Sequence, residues 1–544
     1  MPSNMNHSFG QIPSVSMPRS KFNRDHRHLT TMNEGLITPI LIDEIVPGDT
    51  LQCNASILAR MATPIFPIMD NMVLTTSFWF VPLRLLWDNF QKFMGEQIDP
   101  GDSTSFETPQ VETLGWTEDS LADYFGLPLG VAMSSAAYFH RAYALIYDQH
   151  FRDQNLINSL NLPRDDGPDN GANVKYINLQ RRGKRFDYFT SCLPEAQKGD
   201  SVPLPLGDNA PVWGTGRSLT LTDGTDFEGF VKTDTTAHYA TLSSQAYNKA
   251  VGTAAGTTGT VNVAEALGVM EEVAGVESPL YADLTGSTAS TINELRLAFQ
   301  LQKLKERDMR GGTRYSEIIQ SHFSVRSPDS RLQRPEYLGG GSKYINVTEV
   351  QQNSASPATP SSTDTPQGNL AAYGKVSSTR NSFTKSFTEH GVIMGLAYVS
   401  ADLTYQQGLD KMHSRLYKYD HYWPALANIG EQAVLNKEIY FDGTSADDDV
   451  FGYNERWSEM RYKRSNITSA FRSSAAASLD SWHLSQDFGS TRPELDDVFI
   501  EEEAPMARVK AITSEPDFIC DIWFDYKHTR PMPTYSTPGL IDHH

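Results

Sequence analysis

Residues 72–81, MVLTTSFWFV, are an almost unbroken run of aliphatic, β-branched and aromatic side chains in a chain whose mean hydropathy is −0.42. Such a run favours a pleated, largely buried strand, so the chain must build a core around a sheet. Pro82 stops the ladder because it has no N–H to donate. From Leu83 the period changes: Leu86, Phe90, Phe93 and Met94 recur at helical spacing, and Gly95 stands where a left-handed C-cap belongs. The spacing predicts a buried strand running directly into an amphipathic helix.

Strand patterns recur towards both ends. Leu51, Cys53, Ala55 and Ile57 alternate with Gln52, Asn54 and Ser56, and Pro47-Gly48-Asp49 supplies a turn between this run and residues 40–46. In residues 518–526, FICDIWFDY, the set Cys520, Ile522, Phe524 and Tyr526 faces one way, with Asp521 and Asp525 on the other face. GVIMGLAYV at 391–399 is a further sheet segment. Helices are inserted between strands: residues 136–160 place Phe139, Tyr143, Ile146, Tyr147 and His150 on one stripe. A capping box at Thr291 and Glu294 opens a helix carrying Leu297, Leu301 and Leu304, which ends before Gly311. This is not a βαβ alternation.

The expected organisation is a basic arm over residues 1–32, a first β portion with helical insertions over 33–216, a surface insertion over 217–290, and the remainder of the β framework over 291–544. The insertion is rich in Thr, Gly and Ala, and with the short tract 354–365 it lacks the apolar area that a core requires.

The totals exclude several function classes. With 46 Lys and Arg against 66 Asp and Glu, the formal charge is −20, so any contact with nucleic acid must be local. Cys53, Cys192 and Cys520 are odd in number and far apart, which suits buried thiols rather than a disulfide framework or a zinc site. The first residues lack the apolar core of a secretory signal, and no run of ~18 apolar residues predicts a membrane span.

No catalytic or cofactor motif emerges. LGGGSK at 338–343 has Ser342 before Lys343 and a strand-like YINVTEV behind it, so it reads as a turn rather than a phosphate loop. Asp447-Asp448-Asp449 and Glu501-Glu502-Glu503 lack calcium-loop spacing and read as solvated surface charge. His26, His28, His413, His421, His543 and His544 form no metal-ligand pattern, and Cys192 has no signature of an activated nucleophile. No catalytic residue, cofactor or metal is expected. The basic clusters carry more information. Arg19, Lys21, Arg24 and Arg27 lie in the arm, and Arg181, Arg182, Lys184 and Arg185 fall within five residues. The second cluster reads either as a nucleic-acid footprint or as salt bridges to an acidic neighbour.

Several longer stretches are specific. ATPIFPIMDN (62–71), WDNFQKFMGE (87–96), GKRFDYFTSCLPEAQKG (183–199), SPDSRLQRPEYLGGGS (327–342), YWPALANIGEQAVLNKEIY (422–440) and RPMPTYSTPGLIDHH (530–544) follow one another in an order that resembles the major capsid protein of gokushoviruses, single-stranded-DNA bacteriophages of the microvirus family. The resemblance implies an eight-stranded jelly-roll β-barrel with long insertions, assembled with copies of itself into a T=1 icosahedral shell around a circular single-stranded DNA genome. It implies partners among other virion proteins and a host cell-surface receptor, no membrane insertion, a place in the virion, and assembly in the bacterial cytoplasm. By this reading the basic residues named above contact the genome. The 217–290 insertion projects outward for host attachment, with Val261, Val263, Leu267 and Met270 as candidate contacts. The alternatives are a carbohydrate-active β-sandwich enzyme, which would need two carboxylates across a cleft, and a monomeric nucleic-acid-binding protein, which the net charge disfavours.

Overall fold

The computed structural model describes residues 18–169, 175–200, 202, 209–211, 281–283, 292–355 and 367–535. The chain divides into two compact units, residues 199–305 and the remainder.

The larger unit is built on two antiparallel sheets. Strands β1 (Ser20–Asn23), β2 (His26–Met32), β3 (Thr38–Ile45), β4 (Thr50–Met61), β5 (Met72–Pro82), β6 (Glu336–Tyr344), β7 (Asn346–Gln351), β8 (Leu370–Ser386), β9 (Gly391–Ala401) and β10 (Phe518–Arg530) supply them. One sheet has the order β1-β10-β4-β8-β7, with β2 also paired to β10; the other has the order β6-β5-β9-β3. The architecture is mainly β with helical insertions, as expected, but six and four strands form two open sheets rather than one closed eight-stranded barrel. The arm does not stay extended and alone: His26–Phe524 and Met32–Phe518 are partners in the β2–β10 register, and Ser20 pairs with Arg530.

Alternation along β4 and β10 lays Leu51, Cys53, Ala55, Ile57, Phe518, Cys520, Ile522, Phe524 and Tyr526 into a core shared by both sheets, while Ile519 and Trp523 face outward. Strands β5 and β9 read as continuous apolar runs because both their faces are covered. Leu74, Phe78, Phe80, Ile393 and Val399 join the shared core. Trp79, Val81, Met394 and Leu396 face a second core. That second core is closed by helix α1 (Tyr138–Ile146), whose Tyr143 and Ile146 are buried together with Tyr147 just after it. Each aromatic so enclosed contributes on the order of 1.5–3 kcal/mol of burial. A third cluster joins Tyr188, Phe189 and Cys192 to Tyr405, Ile439 and Phe451. All three cysteines are free and buried, and burial pushes the Cys53 and Cys520 thiols up to about 12.

Two local expectations give way. The helix expected over 83–94 is a 3-10 turn at Leu83–Leu85 and a single helical turn at Phe90–Phe93. Trp87 Nε1 and Asn89 Nδ2 donate to Asp166 Oδ1 at 2.6 and 3.0 Å, and the Asp88 N–H donates to Arg164 O, which draws the backbone out of a continuous helix. Gly95 does adopt the left-handed conformation that closes the turn, at φ +104°. The Gly339–Gly341 run is a strand rather than a turn. A Cβ on Gly340 would lie 2.1 Å from Thr76 O of β5, and one on Gly339 would lie 2.7 Å from Ser382 O of β8. Glycine is required where β6 pairs with one sheet while pressed against the edge of the other.

In the smaller unit, Asn209–Pro211 pairs antiparallel with Tyr281–Asp283, Asn209 opposite Asp283 and Pro211 opposite Tyr281. A long helix spans Ile292–Arg310 and stops before Gly311, where the sequence pattern ends it.

Candidate nucleic-acid and assembly surfaces

Lys21 lies on β1 and Arg27 on β2, with Arg19 just before β1 and Arg24 between the two, and the partners of these cations differ. Arg24 makes a two-pronged contact with Asp43, at 2.5 and 3.1 Å, beside the ring of Tyr526. Arg27 does the same with Asp521, with both bonds at 2.7 Å. Each carboxylate is from a neighbouring strand, so these two guanidinium groups staple the edge and are largely neutralised. Arg19 instead donates to neutral oxygens, Gly48 O and Thr50 Oγ1, and pairs with no carboxylate among the described residues. Lys21 is exposed on β1.

The cluster at 181–185 is folded onto acidic residues 501–503 instead of forming an open patch. Arg181 donates to Glu502 O at 2.9 Å and to Glu503 Oε1 at 3.2 Å. Arg182 lies 4.7 Å from the centre of the Tyr398 ring, and Arg185 is 3.9 Å from Asp402. Lys184 is buried, donates to Phe499 O and lies over the Phe499 ring; burial lowers its ammonium to about 8. Lys184 therefore cannot reach a phosphate without unfolding this corner.

Behind the cluster lies a pair of buried carboxyls that the sequence pattern does not disclose. Glu34 Oε2 accepts the Ala504 N–H at 2.7 Å, and Glu502 Oε1 accepts the Ala401 N–H at 3.2 Å. The other oxygen of each has no hydrogen-bond partner. Burial, then the charge of Glu502, raises Glu34 to about 8, and burial also raises Glu502. The acidic triplets are thus not simply solvated. Glu502 is interior, and Asp447 is buried with Arg492 at 2.8 Å while Asp448 pairs with Lys437 at 2.7 Å. Each triplet contributes at least one anchor to a partner distant in sequence, which a local spacing rule misses. Among the described residues no group of three or more His, Cys, Asp or Glu side chains is placed to hold a metal ion. No helix there is long and apolar enough to cross a membrane. Val261, Val263, Leu267 and Met270 lie outside the described residues.

The family of the chain is decided by comparison with known proteins. A model of the family described as "Capsid protein (F protein)" matches residues 10–540. The chain belongs to this capsid family. It is 44% identical to capsid protein VP1 of Bdellovibrio phage phiMH2K over 98% of both chains. It is 40% identical to capsid protein VP1 of Chlamydia phage 1, covering 99% of this chain and 98% of that one. It is 35% identical to capsid protein VP1 of Spiroplasma virus 4, covering 98% and 97%. The resemblance read from the sequence is thereby confirmed: the chain is a structural capsid protein of a phage, not an enzyme, and its place is the virion. In a capsid protein the polar corner at Arg181–Glu502 is a fold-locking device, and the neutralised arm cations hold an edge strand that would otherwise be free to pair with another chain.

Proposed function

We propose that this capsid protein assembles with copies of itself into a T=1 icosahedral shell around a circular single-stranded DNA genome. Assembly takes place in the bacterial cytoplasm with other virion proteins, and the 217–290 insertion meets a receptor on the host surface. The observation that carries the reading is the match of nearly the whole chain, at 44% identity, to a phage capsid protein.

Genome contact centres on Arg19 and Lys21, which pair with no carboxylate among the described residues, with Arg182 and Arg185 as secondary candidates. Arg24, Arg27 and Arg181 take part only by exchanging Asp43, Asp521 or Glu503 for phosphate. Lys184 is set aside by its burial. Contacts of this kind release counterions and give sequence-independent affinity that falls with salt. The insertion is supported as a projecting segment by the ladder of Asn209–Pro211 with Tyr281–Asp283, which brings its two ends together. Its acidic excess makes it a poor neighbour for packed DNA.

The reading is tested by expressing the chain in bacteria together with the other virion proteins and the genome of its phage, sizing the product by sedimentation and imaging, and typing any enclosed nucleic acid with strand-specific nucleases. Uniform shells containing nuclease-protected circular single-stranded DNA are expected. A 60.6 kDa species that never forms particles would refute it. Changing Arg19 and Lys21 to Gln should lower DNA content per shell while particle number is kept; unchanged DNA content would remove the arm from genome contact.

A further inference from the structure

We propose that the loop over residues 411–429 is an interface through which one copy of this chain grips another in the shell; the proposal rests on the capsid reading above. The loop presents Leu416, Tyr417, Tyr419, Tyr422, Trp423 and Ile429 at 43 to 80% exposure, a density of large apolar side chains that a free surface does not sustain. Together they offer roughly 700 Å² of mostly aromatic area, close to the ~800 Å² that one partner contributes to a standard protein interface.

The loop is also held rigidly in this exposed state. Three 3-10 turns, Lys411–His413, Lys418–Asp420 and Pro424–Leu426, carry it. Asp420 Oδ2 accepts the N–H groups of Leu416 and Tyr417 at 2.9 and 2.7 Å, and Trp423 Nε1 donates to Lys418 O at 3.0 Å. A segment with no partner would gain by folding these rings inward. This one uses its polar groups to keep them outward, and the ordering cost is met before binding. Tyrosine and tryptophan on a pre-set backbone are the composition of interface hot spots.

A second copy fits better than the genome because the loop's charges are already matched. Lys411 pairs with Glu438 at 3.2 Å, Arg415 with Glu459 at 3.1 Å, and Asp410 with Lys463 at 3.0 Å. Lys418 is drawn over the rings of Trp423 and Tyr419, 5.2 and 5.7 Å from their centres. A single-strand binding groove needs cations that track the phosphates, whereas an interface core is depleted of net charge and rich in aromatics.

Hydroxyl-radical footprinting of the unaltered chain tests the proposal. Residues 416–423 should be modified about tenfold or more slowly in DNA-free shells than in unassembled subunits. Equal modification in subunits and DNA-free shells would overturn it, and protection confined to DNA-filled shells would assign the loop to the genome instead. Independently, Leu416→Glu with Tyr419→Glu should raise the subunit concentration needed for assembly about tenfold or more. Leu114→Glu, at another exposed leucine, should leave that concentration unchanged. Circular dichroism confirms that the subunits are folded, and assembly of the double variant at the parental concentration would refute the interface. If the parent forms no particles, the capsid reading itself fails, whereas particles with a fully labelled loop defeat only this inference.

Discussion

Arg141 and Asp169 form a fully enclosed ion pair: Nε and Nη2 of the arginine donate to the two carboxylate oxygens at 2.9 and 2.7 Å. The remaining nitrogen, Nη1, donates to Leu86 O and Asp165 O at 3.0 Å each. One side chain of α1 thereby fastens the segment after β5 and the 165–169 loop over the second core. Asp169→Ala leaves the buried guanidinium only the exposed Asp165 carboxylate, at 3.5 Å, as a counter-ion and should lower subunit stability by up to about 3–5 kcal/mol, read from urea unfolding. Replacing both partners by apolar residues should cost clearly less than the single change, which separates the penalty of a stranded charge from the worth of the pair.

The buried carboxyls and Lys184 set opposing pH trends. Glu34 has its folded value raised to about 8, so its contribution to stability is fully present below the ordinary carboxyl range and is lost as pH rises towards 8. Lys184 is lowered to about 8, so the folded form gives up its proton first and gains stability between pH 8 and the ordinary lysine value. Unfolding midpoints should therefore fall between about pH 5 and 8 and recover partly above. Glu34→Gln should shrink the fall to the part that the raised Glu502 carboxyl sets and leave the recovery. Parallel profiles for variant and parent would show that the carboxyl does not titrate in this way.

Gly340→Ala tests the close pairing of β6 with β5 inside the four-stranded sheet. Its Cβ would meet Thr76 O at 2.1 Å, so β5 and β6 must separate locally. A loss of about 1–3 kcal/mol is expected by chemical denaturation, together with a lower particle yield. Gly95→Ala is the comparison, because nothing lies within 4 Å of a Cβ there and only the left-handed backbone opposes it.

Replacing residues 212–280 by a short Gly-Ser linker keeps both strands of the Asn209–Pro211 and Tyr281–Asp283 ladder. Loop-closure entropy changes by only about 0.6 kcal/mol per doubling of length, so a shorter connection does little to the rest of the subunit. DNA-filled particles that no longer adsorb to cells are expected in an adsorption assay. Failure to assemble, or adsorption equal to the parent, would deny the insertion a role in attachment.

The framework was legible where the signal is local. Period-two alternation marks β4 and β10, and the unbroken apolar character of β5 and β9 follows from their two covered faces. What stayed hidden depends on partners far along the chain. Gly339–Gly341 resembles a turn until Thr76 and Ser382 are brought against it. Arg181–Arg185 resembles a basic patch until Glu502, Glu503 and Phe499 fold onto it. The aromatic loop at 411–429 was visible only as part of a family block, because composition alone does not say whether a tyrosine points in or out. The family itself was legible from ordered blocks, which are far more specific than any single motif.

The pairing of β1 and β2 with β10 carries a consequence for how the protein is made. Strand β10 lies between β4 and the first two strands, so the middle of the six-stranded sheet is supplied last. At the ~5–20 residues per second of translation, roughly 25 to 100 s separate the emergence of Met32 from that of its partner Phe518. Throughout that interval β4 and β2 have vacant ladders and a greasy face, a hazard for sticking to other nascent chains on the same message. The sheet is thus a completion check: only a subunit translated through β10 can seal it.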